Sequence, residues 1–187
     1  NLDPNDHTAV ELGVRFRSDS AGVVTGIRFY KGPTNTGTHV GHLWTSGGAL
    51  LGTATFSSES ASGWQQVSFS SPIAISANTT YVASYFAPVG QYAFDGNYFA
   101  SAFDSAPLHA LADGADGSNG IFQYGGGFPT NSFHSTNYWV DVVFTTSSGP
   151  DTTPPTVLSV SPGSGAQGIA SSANATATFS EALDPAT

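Results

Sequence analysis

The sequence has no cysteine. That excludes disulfides, thiolate metal sites and cysteine nucleophiles, and it leaves the redox compartment open. Positive charge is almost as scarce. Four Lys and Arg serve all 187 residues, and from Gly32 to Thr187 there is none. Arg15, Arg17, Arg28 and Lys31 are balanced by four acids within residues 1–31, whereas residues 32–187 carry nine acids. Nucleic acid is excluded as a partner, because phosphate neutralisation needs clustered cations, and anionic membrane surfaces are disfavoured for the same reason. No apolar run approaches the ~18 residues of a membrane-spanning helix. No secretory leader is visible, which fits a mature chain or an excised fragment.

Catalytic signatures are also missing. There is no G-x-S-x-G, and His7, His39, His42, His109 and His134 hold no fixed spacing to a nucleophile. His39 and His42 in THVGH fall on opposite faces of a strand, a poor arrangement for sharing a metal. Glu occurs only at positions 11, 59 and 181, and no spacing among Asp95, Asp104, Asp113, Asp116 and Asp141 marks a pair for glycoside hydrolysis. The chain reads as non-enzymatic.

What the sequence does contain is period-two alternation. VELGVRF sets Val10, Leu12, Val14 and Phe16 against Glu11, Gly13, Arg15 and Arg17. GVVTGIRFYKG sets Val23, Thr25, Ile27 and Phe29 against Val24, Gly26, Arg28 and Tyr30. Further strands are expected at HVGHLWT, LLGTATF, WQQVSFS, TYVASYF, QYAFD, IFQYG and YWVDVVFT, separated by the turn segments KGPTNTG, TSGG, ASG and ISANTT. Many short strands at this spacing predict an all-β, antiparallel β-sandwich of the jelly-roll kind over residues 1–146. In NYWVDVVFT, Tyr138, Val140, Val142 and Phe144 face inward. Arg15, Arg17, Arg28 and Tyr30 lie opposite the apolar stripes. They read as solvated faces that blunt an edge, or as a small cationic patch for an anionic sugar. Residues 147–155 read as a Pro/Ser/Thr linker, and residues 156–187 as a short additional β segment.

RFYKG, NTGTH, LW, ASGWQQVSF, PLHA and NYWVDVVF, in this order through residues 9–146, resemble a bacterial family of exported domains, domain of unknown function 4082. The resemblance implies a β-sandwich that accompanies sugar-active or adhesive modules. It brings no catalytic residues. DTTPPTVLSVSP through ATFSEALDPAT is similar to the start of a bacterial immunoglobulin-like domain, a fold that needs about 100 residues and seven strands. Such a partial segment is expected either to pack on the main domain or to be completed by a neighbouring chain through strand addition, and the second alternative would make the protein a fibre subunit associating with itself through residues 156–187. A low-charge surface rich in Ser, Thr, Gly and Asn points to an exported bacterial protein at the cell surface or outside the cell.

Aromatics carry the functional reading. Sugar rings pack their C–H faces on aromatic rings, and their hydroxyls take Asp, Asn, Gln or His partners. Residues 87–136 form a long, glycine-rich, aromatic stretch of the kind that is often functional. Tyr92, Asp95, Tyr98, His109, Asn119, Tyr124, Trp139 and Asp141 are the candidate ligand-binding residues, for a polysaccharide or cell-surface glycan. Trp64 also alternates away from Val67 and Phe69. DGADGSNG (residues 113–120) places Asp113, Asp116 and Asn119 on one bent loop. It reads as a turn, or as hard oxygen ligands for calcium, with Asp151 in the linker as a further oxygen source.

Overall fold

A computed structural model describes residues 1–3, 5–146 and 155–180. The strands are β1 (Val10–Ser18), β2 (Gly22–Lys31), β3 (Val40–Thr45), β4 (Leu50–Thr55), β5 (Gly63–Ile75) and β6 (Tyr81–Ala87). After a 3-10 turn at Tyr98–Ala100 come β7 (Phe103–Ser105), β8 (Leu108–Ala110), β9 (Ile121–Tyr124), β10 (Asn131–Ser132) and β11 (Val140–Thr146). The last two are β12 (Val157–Ser161) and β13 (Thr176–Phe179).

The chain divides into two units, Asn1–Ser147 and Ser148–Thr187. The first is an antiparallel β-sandwich. Its larger sheet runs β10-β9-β1-β6-β3-β4, with the β7–β8 hairpin joined to the C-terminal end of β1. The smaller sheet runs β11-β2-β5. Between them lie Val10, Leu12, Val14 and Phe16 from β1, Ile27 and Phe29 from β2, Tyr85 from β6, and Val140 and Val142 from β11. Phe29 stacks on Tyr85 with centroids 4.2 Å apart and meets Phe56 edge-on at 4.9 Å. The second unit is described by itself: β12 and β13 pair as an antiparallel ladder, with Val157, Leu158 and Val160 all at least half exposed.

Alternation placed most of the strands, but three of its inferences fail. QYAFD forms no strand, Ala93 and Asp95 making only isolated bridges. On β2 a bulge between Val24 and Gly26 shifts the phase, so Val24, not Val23, joins Ile27 and Phe29 in the interior. On β1 the supposedly solvated face is covered at Glu11 and Gly13, while Arg17 is exposed. Glu11 is fully buried and Gly13 is packed so closely that a Cβ there would lie 3.1 Å from Pro129. A second apolar cluster of Trp44, Val82 and Ile121, with Phe128 against it, forms on this far side of the larger sheet. Glu11 is held there by the Ser84 hydroxyl at 2.5 Å and by His42 Nδ1 at 2.8 Å. Neither β1 nor β2 is an edge strand, so their cations do not guard an edge.

The RFYKG and NTGTH segments meet in a buried polar network. Lys31 Nζ donates to Glu59 Oε2 at 2.7 Å, and His39 Nδ1 lies 2.8 Å from Glu59 Oε1. Burial of Glu59 disfavours its charge, but the bonds from Lys31 and His39 outweigh this and hold its carboxyl below the usual range. Burial likewise pushes the His39 imidazole down, against the pull of Glu59. His39 Nε2 lies 2.8 Å from Asn35 Oδ1, so the ring is held between Glu59 and Asn35.

Candidate functional site

The register of the smaller sheet assembles a cluster on its outer face. Tyr30 on β2 faces Trp64 on β5, Arg28 faces Gln66, and Asp141 on β11 faces Arg28 from the other side. Because alternation buries Phe29, Gln65 and Val140, it sends these neighbours outward. Arg28 donates from Nε (3.0 Å) and Nη2 (2.5 Å) to Asp141 Oδ2, and its guanidinium carbon sits 4.9 Å from the centre of the Trp64 ring. The remaining carboxylate oxygen, Asp141 Oδ1, accepts the Val142 N–H at 2.8 Å.

Trp139 precedes β11 with φ at 54°, a left-handed backbone that is costly for a bulky residue. Three bonds hold it there. Its N–H donates to Asn137 Oδ1 at 2.8 Å, its carbonyl accepts from Tyr30 N–H at 2.9 Å, and its indole N–H donates to Asp95 Oδ2 at 2.9 Å. Asp95 in turn receives the Asn1 side chain at 2.8 Å and the N-terminal amine at 3.4 Å. The Trp139 ring meets Trp64 edge-on at 6.4 Å and Tyr98 at 5.4 Å. Tyr98 also contacts Phe103 at 6.0 Å. Backbone strain of this sort persists where surrounding contacts over-determine it, and such places are enriched in functional sites.

These side chains form the mouth of a cleft of about 530 Å³. It opens between β11 and the β7–β8 hairpin, with Trp64, Tyr98, Phe103, Trp139, Arg28, Asp141 and Gln66 around its mouth and apolar side chains of the sandwich further in. His109 lines the hairpin side. Its Nδ1 lies 2.6 Å from Asp104 Oδ1 and its Nε2 lies 2.7 Å from Asp19 Oδ2. Both ring nitrogens face acceptors, so the hydrogen bonds to Asp104 and Asp19 raise the imidazole above its ordinary value.

Of the residues singled out in the sequence, Tyr98, His109, Trp139 and Asp141 line this one cleft, and Asp95 stands behind Trp139. The others lie elsewhere. Tyr92 packs edge-on against Tyr138 at 5.5 Å, and its hydroxyl and that of Tyr124 share Asp6 Oδ2 at 3.2 and 2.9 Å. Burial first, with Asp6 second, pushes the Tyr92 hydroxyl well up, while for Tyr124 the bond to Asp6 leads.

Asn119 is fully buried, and every polar atom of its side chain is engaged. Its oxygen accepts from the Arg15 and Gly120 amides (2.7 and 2.8 Å), and its nitrogen donates to the carbonyls of Arg15 and Leu111 (3.0 and 2.6 Å). Asp113 accepts the Asn119 N–H at 2.8 Å and the Ser135 hydroxyl at 2.9 Å, and Asp116 is exposed. Among the described residues no three His, Asp or Glu side chains converge as a metal would require. Asp151 and Glu181 lie outside the described residues.

Arg28, Trp64, Gln66 and Phe103 belong to the cleft but were not in the candidate set. The signal that finds three of them is the phase shared by Arg28 and Tyr30 on β2 with Trp64 and Gln66 on β5. The cationic patch offered as an alternative does not form, because Arg15 and Arg17 lie on β1 in the larger sheet and Arg28 on β2 in the smaller one. Arg28 is paired with Asp141, Lys31 with Glu59, and Arg15 Nε donates to the Ser118 carbonyl at 3.0 Å.

The family model described as Domain of unknown function (DUF4082) matches residues 1–140, and the one described as Bacterial Ig-like domain matches residues 151–187. No curated protein matches the chain. The chain is thus a member of the DUF4082 family, with a bacterial immunoglobulin-like segment following the family's domain.

Proposed function

We propose that the protein is a non-catalytic, surface-located bacterial module that binds an uncharged saccharide at the β11 cleft. One observation carries this reading. Trp64, Trp139, Tyr98 and Phe103 stand together at an open mouth, next to a paired Arg28–Asp141 and the exposed Gln66 amide. The rings offer platforms for sugar C–H faces, and the remaining guanidinium protons, the amide and the carboxylate oxygens suit hydroxyls. The charges around the cleft already have partners: Arg28 with Asp141, and His109 with Asp19 and Asp104, while Asp95 accepts the Trp139 indole and the Asn1 side-chain amide. A charged sugar would therefore leave one group unpaired, whereas a neutral one would not. The accompanying immunoglobulin-like segment supports a surface setting.

The test is retention of the 187-residue chain on a polysaccharide panel, with Trp139→Ala and Trp64→Ala beside it. Retention lost in both variants, and kept in Tyr124→Ala, supports the cleft. A wild-type chain that passes through every polysaccharide removes the proposal.

A second reading, self-association through residues 156–187, is favoured by the exposed Val157, Leu158 and Val160 on β12. It requires sedimentation to show concentration-dependent assembly that Val160→Glu abolishes. A monomer at high concentration excludes it.

A further inference from the structure

We propose that the saccharide carries an apolar substituent, an alkyl, acyl or aromatic group, which enters the cleft past Trp139. This deepens the glycan reading of the same cleft and rests on it. Most polar lining groups, Arg28, Gln66, His109 and Asp141, are half-buried or exposed, and Asn137 is the one buried polar residue of the lining. The other walls include Val14, Phe16, Phe99, Leu108, Val142 and Phe144, all apolar. The main-chain donor of Val142 at the free edge of β11 is also taken. The Tyr30 N–H to Trp139 carbonyl bond fixes the alternation of the β2–β11 ladder, so Asp141 bonds toward β2 and the Val142 N–H points to the free edge. That edge amide is already capped by Asp141 Oδ1 at 2.8 Å.

A sugar hydroxyl placed against these apolar walls would leave water without gaining a side-chain partner from them, which is unfavourable. An apolar group there gains from burial instead, by about fourfold in affinity per methylene when burial is complete. The capped amide also argues against an extended peptide as occupant, since strand addition to β11 would find a key donor taken. A volume of about 530 Å³ lies within the roughly 300–1,000 Å³ usual for small-molecule clefts.

The experiment is calorimetric titration of the 187-residue chain with methyl and n-hexyl glycosides of glucose, galactose, mannose and N-acetylglucosamine, kept below micelle formation, with hexan-1-ol as a tail-only control. For the preferred sugar we expect the hexyl glycoside to bind at least about tenfold tighter than the methyl glycoside. Leu108→Gln is expected to erase that gain while leaving the methyl glycoside within twofold of wild type. Phe144→Ser, at a half-buried wall position outside the ring platform, serves if the first variant does not fold by circular dichroism. Equal affinity for methyl and hexyl glycosides, or a hexyl gain that survives both variants, overturns the inference and leaves the glycan reading standing. Hexan-1-ol binding as tightly as every hexyl glycoside overturns the glycan reading instead. No heat with any probe overturns both.

Discussion

Asp141 illustrates how much one side chain can do here. One oxygen takes two guanidinium donors and the other caps the Val142 amide. The pair with Arg28 is about 40% exposed, so its direct contribution to stability is small, about 0.2–1 kcal/mol. Its value under the glycan proposal is orientation, because it keeps the Arg28 guanidinium over Trp64. Asp141→Ala is expected to lower the melting temperature by no more than a few degrees yet weaken saccharide binding at least tenfold, as read by thermal melts and calorimetry.

Glu59 behaves in the opposite way. It is nearly buried between Lys31 and His39, and removing one partner of such a group costs about 3 kcal/mol or more. Glu59→Ala should therefore destabilise strongly in urea unfolding while sugar affinity of the folded fraction stays unchanged. The pH dependence has a definite sign. His39 is held below its ordinary 6.5, so the unfolded chain takes up that proton first, and Glu59 is held below its ordinary 4.5. Stability from both is present above the unfolded values and is lost as pH falls. Melting temperature is expected to decline from about pH 6.5 downward, and a melting temperature that rises into acid would contradict the network.

At the scale of elements, the β7–β8 hairpin is anchored on one strand only, since Leu108 and Ala110 of β8 pack on the core and β7 buries nothing. Phe103, Asp104 and Ser105 are exposed, and the hairpin leans on β1 through only a short ladder. The His109 imidazolium ties it to Asp19. Here the folded imidazole is raised, so this tie is fully present below pH 6.5 and is lost as pH climbs through the raised value. Hydrogen exchange of the hairpin amides, corrected for intrinsic rates, should speed up relative to β6 on raising pH through neutrality, and His109→Gln should abolish the difference.

The strands themselves were readable, since alternation is a local property of the chain. What was not readable is which second face becomes covered. Glu11 and Gly13 look solvent-facing until Phe128 and Pro129, more than a hundred residues away in sequence, pack over that side of the sheet. The bulge at Val24/Gly26 was hidden for a related reason. An inserted residue reverses the phase without changing composition. QYAFD forms no strand. Ala93 and Asp95 make only isolated bridges, to Leu2 and Asn137. The cleft was half legible. Trp139, Tyr98, His109 and Asp141 stood out by residue type. Arg28, Trp64 and Gln66 needed the β11-β2-β5 order, which no single strand reveals.

For the molecule as a whole, scarcity of charge and its local pairing go together. Arg15, Arg28 and Lys31 are each engaged by a neighbour, and little unpaired positive charge is left to recruit a polyanion. Saccharide affinity is therefore expected to change less than twofold between low and high salt, whereas an anionic ligand would show a steep dependence. The most direct test of the account is tryptophan fluorescence of the full chain titrated with the best-retained neutral polysaccharide, alongside Trp139→Ala. The account predicts a saturable change at the Trp64–Trp139 mouth that salt does not alter and that the variant lacks. The same saturable change in Trp139→Ala, or one seen only with acidic polysaccharides and erased by salt, would contradict it.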